Sequence, residues 1–282
     1  MKLLRVGDKG QEQPAMLGPD GELRALSGVI PDLTGTELSK ASLARLAGLD
    51  PALLPAINGN PRIGPCVGGV GKMICIGLNY ADHAAESGMD VPPEPIIFMK
   101  ATSAICGAHD DLEIPRDARH LDWEVELGVV IGTRAKYVPE DRAMDHVAGY
   151  CTLNDASERS FQAKRHGQWT KGKSHDTFGP IGPWMVSRDE VADPQAMRLT
   201  ADVDGQRMQD GTTTTMVYGV GFLVSYLSRF MTLEPGDIIA TGTPPGVGSG
   251  RNPRLFLSAG QELVLEVQGL GQQRHRVVGA RE

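Results

Sequence analysis

The chain has little of what marks several large protein classes. Its 282 residues include four cysteines, at 66, 75, 106 and 151, with no Cys-x-x-Cys pair. Thiols spaced this widely argue against a disulfide framework or a zinc site and suit packing residues in a reducing compartment. Positive charge is in deficit: 28 Lys and Arg against 35 Asp and Glu leave a formal net charge of -7 and a pI near 5.5. No basic stripe for a phosphate backbone follows from such a balance, so nucleic acid is excluded as the expected partner. Long apolar runs are also missing. The opening Met1-Lys2-Leu3-Leu4-Arg5-Val6 has no stretch long enough for a signal peptide, and nothing later approaches a membrane span. The expectation is a cytoplasmic globular protein that handles a small metabolite, away from any membrane.

What is present is a chain of short β-segments punctuated by glycine and proline. The first sixty or so residues read as a small αβ unit, with a strand at 3–6, a hairpin turn at Asp20-Gly21 and a short helix at 42–47 closed by Gly48. Residues 58–71 are dense in turn-formers and read as a boundary, dividing the chain into units 1–66 and 67–282. Beyond it, strands are expected at 73–76, 95–99, 127–131 and 238–241, a terminal hairpin at 262–267 and 274–278, and helices starting at Pro139 and spanning 218–229. The fold class is α+β, predominantly β.

One segment departs from ordinary strand composition. In Asp122-Trp123-Glu124-Val125-Glu126-Leu127-Gly128-Val129-Val130-Ile131, two glutamates one residue apart share a strand face while Val125 and Leu127 take the other. Removing an unpaired carboxylate from water costs several kcal/mol, and two together also repel. Either this face is solvated or a cation sits beside it. Asn154-Asp155, ending a second apolar segment about thirty residues on, brings a third carboxylate that favours the cation.

Two motif matches mislead. Gly167-Gln168-Trp169-Thr170-Lys171-Gly172-Lys173-Ser174 fits the phosphate-loop pattern letter for letter but lacks the apolar strand before it and the helix after it. Asp202-Val203-Asp204-Gly205 imitates the start of a calcium loop without the closing Glu and reads as a hairpin turn. His83 and Glu86 form a third pattern. They fall at i and i+3 of a short helical segment, where the carboxylate would orient the imidazole and raise its basicity. The loop Thr241-Gly242-Thr243-Pro244-Pro245-Gly246 after a strand offers backbone N–H groups and the Thr243 hydroxyl to an oxyanion, or is an ordinary strand exit.

Together, Gly77-Leu78-Asn79-Tyr80 with His83 and Glu86, Phe98-Met99-Lys100, Trp123-Glu124-Val125-Glu126-Leu127, Asn154-Asp155, Lys173 before Asp176-Thr177-Phe178-Gly179-Pro180, and Pro235 to Pro244 resemble the fumarylacetoacetate hydrolase family. Order and spacing match through 72–282. The resemblance implies a mixed β-sandwich roll behind a small N-terminal αβ domain. It also implies one Mg²⁺ or Mn²⁺ per subunit, held by Glu124, Glu126 and Asp155. His83 and Glu86, on a mobile lid, are implied to activate water, and Lys173 to stabilise developing negative charge. Lys100, Arg159, Gln162 and Thr243 match substrate-contacting positions, and Ser174-His175 departs from the family pattern in a variable loop.

The implied activity is hydrolysis of the C–C bond of a 2,4-diketo acid by a homodimer or larger homo-oligomer. Whole-chain likeness is nearest to enzymes that cleave 2,4-diketo-3-deoxy-L-rhamnonate or -fuconate to pyruvate and L-lactate in sugar catabolism. Oxaloacetate decarboxylation, keto-acid isomerisation and ureidoglycolate lysis use related chemistry and stay open as alternatives. A non-enzymatic alternative makes the three carboxylates a structural calcium site.

Overall fold

The computed structural model describes residues 1–280 apart from 87 and 89, so the last two residues of the expected 67–282 unit lie outside the described residues. Two sheets carry the fold. Across the nine-stranded sheet the order is Leu23–Ala25, Gln13–Leu17, Lys2–Val6, Met185–Ser187, Val147–Asn154, Val125–Ile131, Ile238–Ala240, Met73–Gly77 and Ile96–Lys100. Ile238–Ala240 runs parallel to Met73–Gly77, and the other neighbours are antiparallel. The N-terminal strands thus continue the sheet of the larger unit, joined where Leu3 pairs with Met185. A five-stranded sheet, Gln206–Thr212, Arg198–Val203, Glu262–Val267, Gly271–Val278 and Leu112–Glu113, shares a core with the first. The predominantly β, α+β sandwich expected from the sequence is the observed architecture.

Strand periodicity decides which side chain enters which core. Val125, Leu127, Val129 and Ile131 pack between the two sheets with Leu199, Leu263 and Leu265. Val130, on the opposite face, belongs to a second core with Leu3, Leu26, Leu38 and Ile238. Gly128 lies between Val130 and Glu126 on that face. A Cβ there would fall 2.8 Å from Cys151 Sγ, so the neighbouring strand tolerates only glycine without shifting.

Local signals account for the other elements. Ser39 caps the helix Lys40–Ala47 by accepting from Ser42 N at 3.3 Å. Val220–Phe230 buries Leu223, Val224 and Leu227 in the inter-sheet core. The calcium-loop look-alike forms a two-residue hairpin turn, with φ of 49° at Asp204 and 77° at Gly205. Among the described residues no helix is long and apolar enough to cross a membrane.

Candidate active site

Antiparallel pairing of Val125–Ile131 with Val147–Asn154 sets Asn154 opposite Val125, so the chain enters one strand beside the point where it leaves the other. Asp155 N donates to Glu124 O and Glu124 N to Asn154 Oδ1, each at 3.0 Å. The result is three carboxylates, Glu124, Glu126 and Asp155, whose oxygens lie within 4.8 Å of one another. None is solvated: exposures are 6%, 1% and 1%. That burial removes the reading of Glu-x-Glu as a wet strand face.

Buried carboxylates need cations, and the protein supplies some. Lys173 Nζ lies 2.8 Å from Glu124 Oε2 and 2.6 Å from Asp155 Oδ2. Lys100 Nζ pairs with the other Asp155 oxygen and donates to Ala156 O at 3.0 Å. Arg159 Nη2 is 2.6 Å from Glu124 Oε1. Glu126, by contrast, has no cationic side chain within ion-pair distance among the described residues and accepts from Gly242 N at 2.8 Å.

The charge states follow from this asymmetry. Burial opposes ionisation of Glu124, but Arg159 and Lys173 outweigh it and bring its carboxyl down to about 2. Burial, reinforced by Asp155 and Glu124, holds Glu126 well above the ordinary carboxylate range. Burial would also strip the proton from Lys173, yet Asp155 and Glu124 keep it charged. The cluster is short of positive charge on the Glu126 side. A hard divalent cation held by the three carboxylates would suit both the charge and the donor chemistry.

A cavity of about 710 Å³ joins this cluster to the helix Ala81–Glu86. His83 Nδ1 is 3.3 Å from Glu86 Oε2, the i, i+3 contact expected from the spacing. Both Glu86 oxygens accept from Gly246 N at 3.0 Å. Burial would raise the Glu86 carboxyl, but His83 and Gly246 N hold it below its usual value. Gly250 makes room for it, since a Cβ there would lie 2.9 Å from the Glu86 carboxyl.

Arg159 and Gln162 line the cavity as expected, linked by a 3.2 Å bond from Arg159 Nη1 to Gln162 Oε1. Two expected substrate contacts are built differently. Lys100 lies behind Asp155, 2% exposed and off the cavity wall. Thr243 borders the cavity, but its hydroxyl donates to Val125 O and accepts from Gln209 Nε2, both at 2.8 Å. It ties the strand exit and has no proton left for a ligand. The phosphate-loop look-alike delivers Lys173 to the carboxylates from the four-residue helix Thr170–Lys173.

Asp122 has no role in the sequence reading, and the structure gives it one. Its fully buried carboxylate accepts from Arg159 Nε at 2.8 Å, Trp123 N at 2.9 Å, Gly248 N at 2.7 Å and Ser249 N at 2.9 Å. It thereby joins Arg159 to the loop that latches Glu86. The available signal was a third acid two residues before Glu124, on the same period.

A family model for the fumarylacetoacetate (FAA) hydrolase C-terminal domain matches residues 72–278. A Burkholderia ambifaria protein, whose name assigns a supposed hydrolase activity and no substrate, is 61% identical over 97% of each chain. Fumarylacetoacetate hydrolase from psychrophilic Exiguobacterium antarcticum shares 32% identity at a TM-score of 0.85, covering 99% of this chain and 100% of its own. A 5-carboxymethyl-2-hydroxymuconate delta-isomerase from Mycobacterium smegmatis shares 32% identity at a TM-score of 0.77 over 100% of both chains. The motif order, the buried acid triad at its centre and a family match through nearly all of the larger unit lead to one assignment: the chain belongs to the fumarylacetoacetate hydrolase family.

Proposed function

We propose that the protein hydrolyses the C–C bond of a 2,4-diketo acid, releasing pyruvate and a carboxylic acid. The observation that carries this reading is a His–Glu pair and a buried acid triad lining one cavity. A divalent ion held by Glu124, Glu126 and Asp155 would supply Lewis acidity toward the keto and carboxylate oxygens of the substrate. Glu86 orients the His83 ring through Nδ1, leaving Nε2 to take a proton from water as it attacks the C4 carbonyl. The C3–C4 bond then breaks, its electron pair forms the enolate of pyruvate, and the proton on His83 returns to C3. Lys173 places a fixed positive charge beside the developing enolate, an effect of several kcal/mol in a buried site.

Within this class the first substrate to test is 2,4-diketo-3-deoxy-L-rhamnonate or -fuconate, with pyruvate and L-lactate as products. An isomerase or decarboxylase is the nearest rival, since a solved relative is named as a delta-isomerase. Neither reaction needs an activated water. Pyruvate release from a panel of acylpyruvates with Mg²⁺, measured in wild type and His83→Ala, separates the readings. Hydrolysis falls at least about 10³-fold in the variant, whereas oxaloacetate decarboxylation that survives it identifies the rival. No pyruvate from any acylpyruvate by metal-loaded wild type rejects the proposal.

A further inference from the structure

A second cleft, of about 600 Å³, lies apart from the carboxylates. It opens at the other end of the acid-bearing strands, where Ile131 pairs with Val147 and the chain turns away through Gly132 and Thr133. Tyr150 lines it, five positions before Asp155, which puts about 16 Å of strand between the two sites. The helix Lys40–Ala47 supplies one wall through Lys40, Leu43, Ala44 and Ala47, the i, i+3, i+4 and i+7 positions of a single face. Two of these are alanines, so the face leaves space beside it. Met144, Val147 and Val191 add apolar surface from the larger unit.

Tyr150 brings unfinished hydrogen bonding to this lining. Among the described residues its hydroxyl has no hydrogen-bond partner, although the side chain is 0% exposed. A buried donor left unpaired is costly, and an acceptor oxygen on a bound molecule removes that cost. Burial pushes the phenol up to about 12, so the hydroxyl keeps its proton and stays a neutral donor. Charge at the mouth is balanced. Lys40 and Arg188 are matched in number by Asp145 and Asp189, with Arg188 Nη1 3.8 Å from Asp145 Oδ1. The Met1 α-amino group pairs with Glu190 at 3.2 Å. A mouth without net charge gives an ion no advantage.

We propose that this cleft is a second binding site, for a small neutral molecule with an apolar body and one acceptor oxygen. The oxygen would accept from Tyr150 Oη while the body lies against Leu43, Ala44, Met144 and Val191. Aryl and alkyl ketones or esters make up that class. The inference goes beyond the hydrolase reading and does not depend on it, since none of these residues lines the active-site cavity. The volume suits such a guest, because 600 Å³ is within the range of small-molecule sites.

The probe is 4′-fluoroacetophenone, which has a flat apolar ring, one ketone oxygen, no charge and a fluorine resonance that reports binding. It also lacks the α-keto acid that the metal site would take. Titrated into the wild-type chain, it should bind saturably with a Kd of about 1 mM, the scale for so small a ligand. Tyr150→Phe keeps the ring and removes only the hydroxyl, and should weaken binding about fivefold. It should also melt no lower than wild type, because the hydroxyl it removes is unpaired. Ala44→Trp, at an exposed helix position, fills the mouth and should abolish binding. Binding that survives Ala44→Trp lies elsewhere, and binding unchanged in Tyr150→Phe lacks the proposed contact, so either result overturns the site. A Tyr150→Phe variant that melts lower gives the hydroxyl a structural partner and overturns it as well. So does the lack of saturable binding by wild type, including the case in which a second copy of the chain covers the cleft, seen as a change of oligomeric state in Ala44→Trp.

Discussion

One face of one strand carries two opposite solutions to burial. At its start are Glu124 and Glu126, nearly inaccessible and serving the cavity. Four residues past Glu126, Val130 is equally buried but sits in an apolar core with Leu3, Leu26 and Leu38. Gly128 divides them, with no room for a side chain between strands. Both ends are dry, and their partners differ. The N-terminal unit covers the Val130 end with hydrocarbon, whereas Lys173, Arg159 and Gly242 N meet the glutamates. Burial by itself therefore says nothing about function. What distinguishes the acid end is charge left partly uncompensated.

The comparison can be broken most severely by moving a carboxylate to the wrong end. Val130→Asp would bury a charge with no cation in reach and should cost about 5 kcal/mol or prevent folding, as read from denaturant midpoints. Next in size, Glu126→Gln should lower kcat for pyruvate release at least about 10³-fold. Because burial, with Asp155 and Glu124 beside it, opposes ionisation of Glu126, the neutral amide should also raise the melting temperature without metal and abolish its rise on adding Mg²⁺. A variant that melts lower than wild type would mean that Glu126 is structural. Asp122→Asn keeps the shape but turns an NH₂ toward two of its four buried donors, and should cost about 30-fold in kcat/KM, mainly through KM, together with a lower melting temperature. The smallest effect belongs to Gly128→Ala. Its methyl must push against Cys151 Sγ, costing about 1–3 kcal/mol in stability, with KM unchanged if the cost stays local.

Much of the candidate site could be picked out without coordinates because its residue patterns are local in sequence. Glu-x-Glu on a strand, His83 and Glu86 one turn apart, and Asp155 at a strand end are all short-period patterns. The phosphate-loop letter match around Lys173 failed on its context, and Lys173 was picked out by the motif before Asp176-Thr177-Phe178 instead. Lys100 shows the limit of such reading: a strand was expected at 95–99, and its position behind Asp155 depends on how the observed strand Ile96–Lys100 and the acid-bearing strands pack. Thr243 is a second case, since Gln209, which occupies its hydroxyl, is 34 residues away on the other sheet. Asp122 drew no role from the sequence, because its partners Gly248 N and Ser249 N reach it only through the fold.

Residue order alone set the β-rich class, the strand face on which the two glutamates stand, and the kinds of group available for acid–base and metal chemistry. Those properties follow from a period of two along a strand and 3.6 along a helix. Only the tertiary structure set Lys2–Val6 to extend the acid-bearing sheet through Met185–Ser187, left Glu126 without a cation among the described residues while Glu124 has two, and put Arg251 and Arg254 in one cavity with Glu124. These contacts join residues up to about 180 positions apart. No local pattern encodes them, because pairing over such distances is chosen by the packing of whole sheets and by where their loops are left to converge.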